Sequence, residues 1–231
     1  MTDKKQFDSD NVYILAAYQA ETKGDYKEAI AQYDKALEEN PDLGIVYKHK
    51  GNVFYRIGRI DEAIEALNKA CELLPKFPTV LYELGLAYYR KGSLKKGIEY
   101  FKKVIELDEE FVQAYYWGGI LSYHSGHLKQ ARDYFSTVIK KSPNYLIAYF
   151  HRGVVDLRMG FYEEAAQSLK HVVDENPESP SACALLGDAY LNLDKKYEAR
   201  QAYKKALELD PDDVKAKNGL AQIDDFREVI F

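Results

Sequence analysis

Small and apolar residues return along this chain at a step of 34, and inside each step they fall three or four places apart. Glycine stands at 51, 85, 119, 153 and 187, with Ala17 in the same register one step earlier. Twelve places on comes a second small column, Ala29, Ala63, Gly97, Ala131, Ala165 and Ala199. Four further lie Tyr33, Leu67, Phe101, Phe135, Leu169 and Tyr203, and three beyond those Ala36, Ala70, Val104, Val138, Val172 and Ala206. Proline closes the period at 41, 75, 143, 177 and 211, with Glu109 in its place once. Glycine fills roughly 7% of average positions, so five in register are no accident. One unit is copied six times, and the spacing of four and three is that of a helix face.

Each period reads as two helices. With first positions at Asp10, Gly44, Pro78, Val112, Leu146 and Pro180, the first helix spans about fourteen residues. It closes near Gly24, Gly58, Gly92, Gly126 or Gly160, where a residue free to take positive φ ends a helix cheaply. Asp194 stands there in the sixth copy, a tolerable substitute in left-handed backbone. A second helix of similar length follows and ends at the proline. All seven prolines fall at helix ends or first helical positions, where a missing N–H does no harm. The glycine column lets the two helices of a pair approach closely, and the large column fills the space between one pair and the next.

The pattern resembles the tetratricopeptide repeat family, whose 34-residue signature runs W-x2-L-G-x2-Y, then A-x3-F, then P. The matching segments are Tyr47 to Phe54, Leu81 to Tyr88 and Tyr115 to Ser122, with Ala131 to Phe135 and Pro143 completing the fourth copy. Cys183 replaces the large residue at position four of the last copy, and Lys50 and Arg152 stand at position seven. The resemblance covers residues 10 to 211. It implies an all-α fold, a right-handed superhelical α-solenoid of antiparallel helix pairs, with first helices lining the concave side. It also implies an occupation, the binding of a segment of another protein. The organisation expected is a disordered stretch over 1–9, six repeats over 10–211, and a capping helix with an apolar tail over 212–231.

Composition narrows this further. The charge is −5, from 32 basic and 37 acidic residues mixed along the helices. Pairs such as Glu65 with Lys69 and Glu99 with Lys103 stand at favourable i,i+4 spacing and read as a solvated face. There is no basic run to follow a nucleic-acid backbone, so no nucleic acid is expected. Met1 to Asp10 is polar and no stretch is long enough to span a bilayer, so neither signal peptide nor membrane is expected. Cys71 and Cys183 imply no disulfide framework, and a cytoplasmic home follows as the default.

In the family's geometry the columns facing the concave groove are positions two, five, nine, twelve and thirteen of each first helix. That implies a peptide-binding groove of Lys48, Asn52, Tyr55, Arg56, Tyr82, Leu86, Tyr89, Arg90, Tyr116, Ile120, Tyr123, His124, Phe150, Val154 and Arg158, with Trp117 beside them. Aromatic rings supply large contact area, and a tyrosine keeps a polar tip for a ligand backbone. The competing place for any one tyrosine is between adjacent first helices. Arg56, Arg90, His124 and Arg158 repeat at the 34-residue step as a basic ladder. Either the ladder reaches the groove, favouring an apolar ligand flanked by Asp or Glu, or each cation caps the carbonyls of its own helix C-terminus. Family members that clamp the C-terminal carboxylate of heat-shock chaperones carry Lys and Asn where Lys48 and Asn52 stand. The next places hold Glu83, Gln113 and Trp117, so no such clamp is expected.

Chemistry is sparse. His124 and His127 straddle a turn with no carboxylate or thiol at ligand spacing, and no phosphate loop, nucleophile elbow or zinc-protease motif occurs. No metal, cofactor or enzymatic activity is expected. Val214 to about Phe226 reads as a cap helix, with Ala216, Leu220 and Ile223 inward and Lys215, Lys217, Gln222 and Asp224 outward. Phe226, Val229, Ile230 and Phe231 then form an apolar tail. It either extends the cap onto the sixth repeat or docks into a neighbouring copy to give a homo-oligomer. The leading expectation is a non-catalytic adaptor; the alternative is a self-assembling scaffold.

Overall fold

The computed structural model describes residues 11–228, with side chains through Asp224. The expectations placed on residues 1–9 and on the side chains of Phe226, Val229, Ile230 and Phe231 lie outside it. Among the described residues there are thirteen helices and no strand. In order they are α1 (Val12–Lys23), α2 (Tyr26–Glu39), α3 (Gly44–Arg56), α4 (Ile60–Leu73), α5 (Pro78–Arg90), α6 (Leu94–Leu107) and α7 (Val112–His124). There follow α8 (Leu128–Lys141), α9 (Leu146–Met159), α10 (Tyr162–Glu175), α11 (Pro180–Asn192), α12 (Lys196–Leu209) and α13 (Val214–Glu228). The fold is all-α, with consecutive helices packed as antiparallel pairs.

The chain divides into two compact units, residues 1–114 and 115–231. In the first, each helix from α1 to α6 packs on the next, and α3 also touches α5. In the second, each helix from α8 to α13 packs on the next, while α11 touches both α9 and α13. The rings of Tyr115 and Tyr134 join α7 to α8.

Local chemistry starts and stops the helices. The Asn11 side chain accepts from the N–H groups of Tyr13 and Ile14, and Asp25 accepts from Glu28, so each satisfies donors that the first turn leaves unpaired. Pro78 and Pro180 sit at first helical positions. Gly126, at φ 78°, ends α7 and lets the His127 N–H reach the Ser122 carbonyl at 2.9 Å. Asp194 takes the same left-handed conformation, at φ 57°.

The repeating columns meet inside each pair. A Cβ on Gly119 would lie 2.7 Å from the ring of Phe135, which is fully buried across it. Gly51 stands so to Leu67, Gly85 to Phe101, Gly153 to Leu169 and Gly187 to Tyr203. The large column therefore lies over the glycine of its own pair, which is a sharper role than filling the space before the next. Tyr203 does both, because it also lies against Gly219 of α13.

The ends differ from the middle. Val46, Val80, Ala148, Ala182 and Ala216 are fully buried in one register, whereas Val12 in that register is 67% exposed. On α13, Ala216 and Ile223 are buried and Leu220 is half-buried, while Lys215, Lys217, Gln222 and Asp224 are exposed.

The glycine–ring contact predicts that Gly119→Ala destabilises the chain by about 1–3 kcal/mol, despite alanine's helix preference, because the methyl group enters filled space. In a chain already carrying Phe135→Ala the same substitution should be close to neutral. Urea denaturation of the two single variants and the double variant checks this.

Candidate functional site

In the first unit, the first helices α3 and α5 bring the expected groove residues onto one face, but many of their polar atoms bond to one another. Glu83 accepts from Asn52 Nδ2 at 2.9 Å and pairs with Lys48 Nζ at 3.1 Å. Both members of the ion pair are largely covered, with side-chain exposures of 15% and 18%. The second Glu83 oxygen, Oε2, is buried without a hydrogen-bond partner. Burial accordingly raises the carboxyl pKa above the ordinary value, with Lys48 pulling the other way. Lys48 and Asn52 thus serve an internal carboxylate before any ligand.

One rung of the basic ladder, Arg90, caps a helix other than its own. Arg90 Nη1 donates to the Tyr55 carbonyl at 2.9 Å, and its guanidinium lies 4.7 Å from the centre of the Tyr55 ring. Arg90 therefore serves the C-terminus of the preceding first helix, not of its own. In the second unit Arg158 stacks on Tyr123 in the same way, at 4.8 Å. Arg56 lies 3.7 Å from Glu21. Arg56, Arg90, His124 and Arg158 are all exposed, so the ladder remains open to solvent.

The rings divide between packing and surface. Tyr82 lies 5.7 Å from Phe101 and 5.1 Å from Phe111, in the place between neighbouring pairs. Tyr116 meets the rings of Trp117, Phe135, Tyr145 and His151, and its hydroxyl stands 3.3 Å from His151 Nε2. Tyr55, Leu86, Tyr89, Tyr123, Phe150 and Val154 are half-buried. Ile120 departs from the expectation. It is 8% exposed and offers a ligand almost no surface, whereas Leu86 and Val154 in the same register are half-buried, so local packing and not register decides its burial.

Some structured polar groups went unread in the sequence. Asp156 is fully buried in α9 and accepts from Arg132 Nε of α8 at 2.5 Å. Arg152 lies 3.8 Å from its other oxygen and donates to Ser168, which in turn bonds the Glu164 carbonyl. Burial pushes the Asp156 carboxyl up, against the pull of Arg132 and Arg152. The available signal was Asp156 itself, in a column otherwise filled by Ala20, Phe54, Tyr88, Ser122 and Tyr190. A second unread feature is the pair of tyrosines in the large column, Tyr33 and Tyr203, whose hydroxyls donate to Glu21 and Asp188.

His49 sits among these groups in the first unit. Its ring stacks on Tyr33 and meets Tyr18 edge-on at 5.0 Å. Burial lowers its pKa to about 4, helped by the charges of Lys48 and Arg56. With Tyr18, Glu21, Thr22, Asn52 and Arg56 it lines a cleft of about 370 Å³. Among the described residues no group of three or more His, Cys, Asp or Glu side chains is placed to hold a metal ion. No described helix is long and apolar enough to cross a membrane.

These helix pairs, joined glycine to large residue, define a class of repeat. The chain belongs to the tetratricopeptide repeat family: family profiles described as tetratricopeptide or TPR repeat match residues 11–43, 51–92, 78–111, 118–180 and 157–223. That fold supports a protein–protein interaction module. No curated protein matches the sequence. Among solved structures, YrrB, "a TPR protein with an unusual peptide-binding site", is 24% identical over 82% of this chain and 97% of its own, with a TM-score of 0.75. MamA is 25% identical over 72% of this chain and 91% of its own, with a TM-score of 0.68. A tetratricopeptide repeat protein from Parabacteroides merdae is 18% identical over 91% and 97%, with a TM-score of 0.70. These likenesses carry the fold.

The environment of His49 gives a pH dependence of defined sign. Its folded pKa of about 4 lies below the ordinary 6.5, so between those values the unfolded chain takes up a proton that the folded chain refuses. Stability is therefore lost as pH falls from 6.5 towards 4, by about 1.4 kcal/mol per unit of displacement. His49→Phe keeps a ring in place and should flatten this part of the curve. Denaturation midpoints of both proteins across that window, taken as a difference, isolate the histidine from other titrating groups.

Proposed function

We propose that this chain is a non-catalytic adaptor that holds an apolar, acidic-flanked peptide or helix of a protein partner on its first-helix faces. The observation that carries the reading is the exposed arginine stacked on a half-buried tyrosine, Arg90 on Tyr55 in one unit and Arg158 on Tyr123 in the other. A guanidinium whose face is spent on a ring still has N–H groups at its edge, and that planar fork suits a carboxylate. Half-buried Leu86 and Tyr89, and in the second unit Phe150 and Val154, supply apolar contact beside each stack. Anchors of this kind, a ring and a guanidinium surrounded by apolar area, dominate the energetics of protein interfaces.

The pairing of Glu83 with Lys48 and Asn52 supports excluding a chaperone's C-terminal carboxylate as the ligand. The two side chains that would clamp it are engaged, and a carboxylate already stands there. The description of YrrB as having a peptide-binding site agrees with a peptide ligand for this fold.

Replacing Tyr89 and Tyr123 together by alanine should abolish capture of the partner from native lysate, since truncating a central anchor costs about 2 kcal/mol or more. Far-UV circular dichroism should be unchanged. Equal capture by the double variant and the parent protein would remove the reading.

A further inference from the structure

The sixth position of the first helix carries a large side chain from the second pair to the sixth: His49, Glu83, Trp117, His151 and Leu185. On α13 that position is Gly219. A glycine inside a helix is unfavourable, and here it has a structural use. A Cβ at 219 would lie 2.2 Å from the ring of Tyr203, which also lies against Gly187. Tyr203 therefore passes from α12 between two glycines, fully buried, and donates its hydroxyl to Asp188 Oδ1 at 2.7 Å. Lys215 Nζ of α13 stands 3.0 Å from the other oxygen.

A cleft of about 870 Å³ lies between α11 and α13, with Gly219, Asp188 and Tyr203 in its lining and Asn192, Asn218 and Gln222 among its polar groups. The first pair offers the contrast. There Tyr33 likewise donates to a carboxylate, Glu21, that has a cation nearby, Arg56. His49 fills the sixth position, and the cleft is only about 370 Å³.

We propose that the cleft between α11 and α13 binds a basic side chain, arginine or lysine, carried on a peptide segment of a partner, with Asp188 as its anchor. The Tyr203 hydroxyl is held as a donor, its pKa raised by burial and by the neighbouring carboxylate, so it fixes the orientation of Asp188. A carboxylate has about four lone-pair sites, and two partners leave room for a third. Lys215 marks where a ligand cation would sit. Its side chain is 51% exposed and comes from the next helix, so a better-placed cation can displace it. The carboxamides of Asn218 and Gln222 suit the N–H and C=O groups of the flanking ligand backbone, while Asn192 Nδ2 donates to the Asp188 carbonyl at 2.8 Å. Of the two carboxylates in the lining, Asp194 lies 3.6 Å from Lys196, which lines the cleft too, so Asp188 is the one placed to meet a ligand cation. The site uses none of the residues assigned to the first-helix faces above, so it stands or falls separately from that reading.

The test uses the full chain and three capped tripeptides, alanine–X–alanine, with X as arginine, citrulline or glutamate. Binding is read from the side-chain amide signals of Asn192, Asn218 and Gln222 in ¹⁵N–¹H spectra. The arginine peptide should give a saturable shift and the other two none. Asp188→Asn and Gly219→Leu should each abolish it. Lys215→Ala should tighten binding by up to about fivefold, the range for losing one exposed competing ion pair. A purely structural Lys215–Asp188 bridge predicts no such gain, and this variant removes only a half-exposed side chain, so its result stands whatever the other variants do to folding. Absent shifts, equal shifts with the citrulline peptide, or weaker binding by Lys215→Ala would each overturn the proposal.

Discussion

In each helix pair, a residue with little or no side chain on the first helix and a large one sixteen places later on the second occupy the same space. Gly85 under Phe101 and Gly153 under Leu169 are two instances. The close approach buries the large side chain completely and brings the helix backbones near enough for the small column, Ala131 or Ala165, to be buried too. Interiors this dense leave little freedom, so the contact sets the geometry of each pair. Where the large residue is tyrosine, at Tyr33 and Tyr203, the same contact carries a hydroxyl through the pair to a carboxylate on the first helices.

The charged groups on those first helices are bonded internally before they meet any ligand. Glu83 is held by Lys48 and Asn52, Tyr55 is covered by Arg90, and Asp156 is closed in by Arg132 and Arg152. This follows from desolvation. A charge moved towards the interior must recover from protein groups what it loses from water, and its own and adjacent helices are the nearest source.

The helix pairs were legible because they rest on a one-dimensional rule. Columns at a step of 34, glycines at the turns and prolines at the ends each act within one period, and the same signal was available six times. The candidate site was legible only as a set of positions. That Arg56, Arg90, His124 and Arg158 are exposed agrees with the register. That Arg90 serves the carbonyl of Tyr55 does not follow from it, because the partner stands 35 residues away on another helix. Ile120 was misplaced for a related reason, since register says which way a position points and burial depends on what surrounds it.

From the sequence alone one could determine the all-helical architecture, its period and the family, since each depends on spacing within a repeat. Only the tertiary structure decided which side chains pair between repeats, that the large column lies over the glycine of its own pair, that Lys48 and Asn52 are already engaged, and that a cleft lies over Asp188. Those outcomes depend on distances of a few ångströms between helices. Ion pairing and burial change steeply over such distances, and a repeat pattern averages over them.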